Sequence, residues 1–106
     1  MPKMLIKASY TAEGARGLIK EGGSGRRATV QKLIEGMGGT MEAFYFAYGE
    51  ADAYLIVDMP DAVSGLALSM AVNAAGPVKI ATVPLITVEE MDAACKKTPN
   101  YRAPGA

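Results

Sequence analysis

Apolar and polar residues alternate from Met4 to Tyr10, with Met4, Ile6, Ala8 and Tyr10 on one side and Leu5, Lys7 and Ser9 on the other. That period of two predicts a strand. Thr11 then stands as an N-cap for a helix running to Glu21, with Ala15, Leu18 and Ile19 as its apolar stripe and Gly14 and Gly17 weakening it. Gly22-Gly23-Ser24-Gly25 reads as a mobile break. Ser24 is placed to cap a second helix in which Val30, Leu33, Ile34 and Met37 recur at helical spacing, and Gly38-Gly39 ends it. Two strands follow, Thr40 to Tyr48 and Asp52 to Met59; the three residues Gly49-Glu50-Ala51 between them require an antiparallel hairpin. Asp61 caps a helix that is apolar nearly all round, with Val63, Leu66, Met70 and Ala74 on one side and Leu68 and Val72 on the other, so it is expected to be covered on more than one side. Beyond Gly76-Pro77 a strand runs from Val78 to Ile86. Thr87-Val88-Glu89-Glu90 forms a capping box for a last helix carrying Val88, Met91 and Cys95.

The order β-α-β-β-α-β plus a short helix is the α+β, ferredoxin-like pattern: a four-stranded antiparallel sheet in strand order 4-1-3-2 with helices on one face. Residues 1–97 are read as one such domain and 98–106, with its two prolines, as a tail that is either loose or an arm on a neighbour. Helices cover only one sheet face, yet the other also carries apolar groups: Leu5 on the first strand, Tyr54 and Ile56 on the third, Ala81, Val83 and Leu85 on the fourth. Such a face needs a partner, and two sheets stacked about a two-fold axis supply it. Composition points the same way. Leu, Ile, Val and Phe make up only about a fifth of the chain and Ala and Gly more than a quarter, so the core of one copy is thin. A homodimer is expected, with a higher oligomer as the alternative.

Charge and special residues narrow the function classes. Eleven basic and eleven acidic residues give zero formal net charge, so neither nucleic acid nor a membrane surface is an expected partner. The chain has no histidine, which removes the usual general base and the commonest metal ligand; no metal and no cofactor are expected. A single cysteine allows no internal disulfide, and the opening residues lack the apolar stretch of a signal peptide, so the expected setting is the cytoplasm. Cys95, beside Met91, reads as a small packed hydrophobe.

The stretch from Phe44 to Asp61, FYFAYGEADAYLIVDMPD, resembles the signature of the GYD domain family, small bacterial proteins without an assigned activity. Ser9-Tyr10-Thr11, the Gly38-Gly39 turn and Thr87-Val88-Glu89-Glu90 are similar as well, so that the resemblance covers residues 3 to 97. It implies a dimeric α+β barrel. Gly49 and Asp52 match the family's Gly-Tyr-Asp hairpin, but Ala51 stands where its tyrosine would be. Relatives by fold include cofactor-independent monooxygenases, haem-degrading enzymes and lactone isomerases, several of which use a histidine that is missing here.

Three constellations carry possible chemistry. In the hairpin, Gly49 is expected to hold a positive φ while Asp52 either locks the turn by accepting backbone N–H groups or lies at a pocket rim as ligand contact or base. Lys7, Ser9, Tyr45 and Tyr54 meet on one sheet face. There a lysine among tyrosines either favours a phenolate or pairs with Asp58 or Glu42 across a dimer seam. Gly23-Ser24-Gly25-Arg26-Arg27-Ala28 matches a G-x-G-x-x-A pattern without the strand that should precede it. It is either a glycine turn or, through Ser24, Arg26 and Arg27, an anion site. The candidate ligand-binding residues are therefore Tyr10, Tyr45, Tyr54, Gly49 and Asp52, and the catalytic candidates Lys7, Tyr45, Tyr54 and Asp52. Together they favour a cytosolic homodimer that binds a small hydrophobic or aromatic molecule, or a partner protein. A cofactor-independent oxygenase or isomerase acting on a phenol, and a purely structural self-associating module, stand as alternatives.

Overall fold

A computed structural model describes residues 2–106. Eight elements follow one another: β1 (Lys3–Tyr10), α1 (Ala12–Glu21), α2 (Gly23–Gly36), β2 (Thr40–Phe46), β3 (Ala53–Asp58), α3 (Ala62–Ala75), β4 (Val78–Leu85) and α4 (Val88–Cys95). The strands form one open antiparallel sheet in the order β2-β3-β1-β4. This is the expected α+β arrangement, with the chain's first and third strands at its centre.

Alternation in the sequence becomes alternation in burial. Met4, Ile6 and Ala8 of β1 and Ala53, Leu55 and Val57 of β3 are buried, while Lys3, Leu5, Lys7, Tyr54, Ile56 and Asp58 between them are only half-buried. The buried side is roofed by α2 and α3. Ile34 is the deep anchor of α2, and Leu68 with Gly65 that of α3. Gly65 lets α3 descend onto the sheet: a Cβ there would lie 2.5 Å from the Met4 methyl carbon. Asn73 secures α3 laterally. Its amide donates to the Ile80 carbonyl at 3.2 Å and accepts the Ile80 N–H at 2.7 Å, satisfying backbone groups on the edge strand β4 that have no strand beside them.

Several local expectations are corrected. The cap of α2 is Gly22, with φ 80°, and Ser24 lies exposed in the first helical turn without capping anything. Here backbone freedom outweighs the hydroxyl, because the Gly22 N–H still closes α1 on Leu18 O while its own carbonyl accepts from Arg26 N–H to open α2. The glycine-rich run is thus one kinked residue between two helices instead of a mobile turn. Strands β2 and β3 stop short of the expected hairpin, leaving residues 47–52 as the connection. Gly49 does not take a positive φ; the positive values belong to Gly22, Gly38, Gly76 and Gly105. Ile19 is 84% exposed, so the apolar stripe of α1 reaches the body only through Ala15 and Leu18. On α3, Val63, Leu66 and Met70 are left uncovered.

From Ile86 onward every residue is exposed, Met91 and Cys95 of α4 included, and Cys95 is a free thiol outside any packed core of this chain. The molecule measures 56 × 33 × 23 Å with a radius of gyration of 16.9 Å. A compact chain of this length has about 13 Å, so the C-terminal segment projects from the body. Among the described residues no helix is long and apolar enough to cross a membrane.

Candidate functional site

The candidate residues divide between the two faces of the sheet. On the open face Lys7 and Tyr54 are register partners on β1 and β3, and Tyr45 is the register partner of Tyr54 on β2. Lys7, Ser9 and Tyr54 line a shallow depression of about 260 Å³ together with Glu50, Ala51 and Lys79. Tyr45, 72% exposed, stays outside it. Glu42 and Asp58 are held by a different lysine: Lys3 Nζ lies 2.6 Å from Glu42 and 3.1 Å from Asp58, and these contacts, Glu42 first, raise the Lys3 pKa above its ordinary value. A shift in β2 register between Met41 and Ala43 leaves Glu42 free to reach across to β1.

Asp52 belongs to neither face's cavity. Its carboxylate accepts the Tyr10 N–H at 2.8 Å, and its backbone bonds both ways, N–H to Ala8 O and carbonyl from Ala47 N–H, each at 2.8 Å. Asp52 therefore ties the end of β1 to the start of β3, where the antiparallel ladder runs out. Gly49 and Glu50 are exposed in the same connection, with open space around the Gly49 Cα.

On the helix side, two residues that the sequence placed in separate groups come together. Tyr10 projects from the end of β1 and Arg26 from the first turn of α2, and both border an inner cavity of about 50 Å³ whose remaining wall is apolar, including Val30, Phe44, Leu55 and Val72. The same Tyr10 and Arg26, with Val78, border an adjoining outer cleft of about 490 Å³ along α1. Burial pushes the Tyr10 phenol above its ordinary pKa, opposed by the positive charge of the Arg26 guanidinium and by a side-chain hydrogen bond from it to the phenol oxygen, so the phenol stays protonated with its own O–H able to donate. Arg26 Nε is buried and has no hydrogen-bond partner. Arg27 and Ser24, the other members of the expected anion site, are exposed and line none of these cavities.

The pairing of Tyr10 with Arg26 was not legible in the sequence because it depends on where α2 crosses the end of β1. The cleft's geometry is also set by Gly14, whose missing side chain lets α1 approach the Pro77 carbonyl that accepts from Thr11 N–H and Oγ1, both at 3.0 Å. Its signal was present as a glycine inside an otherwise capped helix. Among the described residues no group of three acidic, cysteine or histidine side chains gathers to hold a metal ion.

The family model for the GYD domain matches residues 4–95. No curated protein and no solved structure matches the chain.

Proposed function

We propose that this chain, which belongs to the GYD domain family, is a homodimeric binding protein for a small hydrophobic or aromatic molecule held between the sheet and its helices. The observation that carries the reading is the apolar cavity of about 50 Å³ beneath α2 and α3, adjoining a cleft large enough for the rest of a ligand. Small-molecule sites are concave and mostly apolar, with a few converging polar groups, and here those groups are Tyr10 and Arg26. The open sheet face supports the dimer: Leu5, Ile56 and Leu85 remain half-buried and Val83 is 38% exposed, a surface that a second sheet stacked upon it would cover. A free, exposed Cys95 fits a reducing cytoplasm.

Native mass spectrometry of freshly purified, untagged protein against a denatured control tests both parts. The expected result is a mass of two chains with a reproducible small adduct that denaturation releases. A bare monomer at micromolar concentration would remove the dimer. Two chains that carry no adduct, and that gain none from added aromatic or aliphatic compounds, would remove the ligand. A partner protein on the open face would leave the chain monomeric when pure.

The enzyme reading has one supporting observation, the depression that brings Lys7 to Tyr54. It reaches neither Tyr45 nor Asp52, and the Asp52 carboxylate is turned to the Tyr10 N–H instead. Turnover of a phenolic substrate by the pure protein, lost in Lys7→Met, would establish it.

A further inference from the structure

We infer that the helix-side cavity takes a ligand bearing a carboxylate, bound by Arg26 with its apolar tail inserted beneath α2 and α3; the inference deepens the binding reading above and rests on it. Arg26 borders the inner cavity, the outer cleft and a third groove between α2 and α3. Its Nε is buried without an acceptor, and among the described residues Arg26 belongs to no ion pair. Leaving a buried donor of a charged group unsatisfied is costly. A carboxylate answers the planar guanidinium edge with two parallel acceptors, which a neutral carbonyl does not.

The surroundings favour an external anion. The first turn of α2 contains no acidic residue, so its free N–H groups and Arg26 add positive potential of the same sign. The acidic neighbours are partly engaged: Asp52 accepts the Tyr10 N–H and Glu21 accepts from the Thr29 hydroxyl. Glu13 and Glu21 border the outer cleft along with Lys20, which balances part of their charge and leaves Arg26 as the cation nearest the apolar interior. The Tyr10 phenol, kept protonated by burial, supplies a second donor at the border of the same cavity.

Cavity size sets the tail. A site holds one water in about 10–15 Å³ of such volume. The inner cavity of about 50 Å³, room for about three to five waters, therefore accepts a short alkyl segment or the edge of a ring, and bulkier parts are left to the outer cleft.

The test compares 3-phenylpropionate with 3-phenylpropionamide, and hexanoate with hexanamide, by titration into ¹⁵N-labelled protein followed by amide NMR near neutral pH. In the wild type each acid is expected to shift amides around Tyr10, Gly14, Arg26 and Val78 and to bind at least about ten-fold more tightly than its amide. Arg26→Met is expected to reduce that preference to about two-fold while the amide still binds, and Arg26→Lys, which keeps the charge but loses the planar fork, to retain only part of it. Equal binding of acid and amide by the wild type would overturn the carboxylate assignment and leave the apolar-ligand reading standing. A preference that survives Arg26→Met would overturn the role of Arg26. Failure of all four compounds to shift helix-side amides would overturn both readings. The wild-type comparison decides the carboxylate question whether or not either variant folds.

Discussion

Single residues here act through close approach as much as through polar chemistry. Gly14 and Gly17 sit three residues apart on α1, yet their surroundings are opposite: a Cβ at Gly14 would overlap the Pro77 carbonyl oxygen, whereas one at Gly17 meets nothing within 4 Å. A backbone carbonyl bonded to Thr11 cannot retreat as a flexible side chain does. Gly14→Ala is therefore expected to destabilise by about 2–3 kcal/mol, and Gly17→Ala to stabilise by about 0.5–1 kcal/mol through helix propensity alone. Urea denaturation of the two variants checks the pair; equal effects would mean that α1 does not sit on Pro77 as described. Asp52 shows the same economy with a polar group. The residue that looked most catalytic in the hairpin spends its carboxylate on a backbone N–H, and its place beside two sheet strands explains why an acid is needed there.

At the scale of elements, each of α1, α3 and α4 opens on a side-chain cap, and those of α3 and α4 carry a pH dependence. Asp61 accepts the Ser64 N–H at 2.7 Å, which holds its carboxyl below the ordinary value of 3.8; the Thr87 N–H does the same for Glu90. A folded-state pKa below the unfolded one means stability that is present above the unfolded value and is lost as pH falls through the folded one. Asp61→Asn keeps a capping oxygen but removes the titration. The melting-temperature gap between wild type and Asp61→Asn is accordingly expected to narrow from about pH 6 to about pH 3. A gap that stays constant over that range would show that the Asp61 charge does not contribute. The cap of α4 has a different significance. Eight residues make a marginal helix in water, and α4 is exposed throughout, so its capping box stabilises an element that tertiary packing within this chain does not support.

The whole molecule is a two-layer body with one face roofed and one face open, plus a C-terminal segment that projects far enough to raise the radius of gyration to 16.9 Å. Roofing explains where the cavity lies: α2 and α3 rest on opposite halves of the sheet, and their separation leaves the space that Arg26 borders. The open face is where the proposed second copy stacks. Ile56 is central there, on a middle strand, and its side chain takes no part in the buried core. Ile56→Glu is thus expected to weaken the dimer at least about ten-fold while leaving the monomer folded, because a charge opposed by an apolar sheet must be desolvated without a partner. Light scattering across a dilution series, with circular dichroism as the folding control, reads the result. An unchanged dimer would move the interface to the uncovered Val63, Leu66 and Met70 of α3 or to the projecting α4.

Much of this architecture follows from local pattern. Alternation in Met4–Tyr10 and Ala53–Asp58 set which side chains are buried, the capping residues Thr11, Asp61 and Thr87 set where three helices begin, and the short connection between β2 and β3 forced their antiparallel pairing. Those are near-neighbour effects, governed by backbone geometry and side-chain period, so a sequence displays them directly. What tertiary structure decided was which distant groups meet. It handed Glu42 and Asp58 to Lys3 instead of Lys7, turned Asp52 to the Tyr10 N–H, left Gly49 without the positive φ that its turn had suggested, and set Arg26 beside Tyr10 at the mouth of an apolar cavity. Each of those outcomes depends on a strand register, a bulge or the angle at which a helix crosses the sheet. Such quantities are fixed by the packing of the whole core, and no local stretch of residues encodes them.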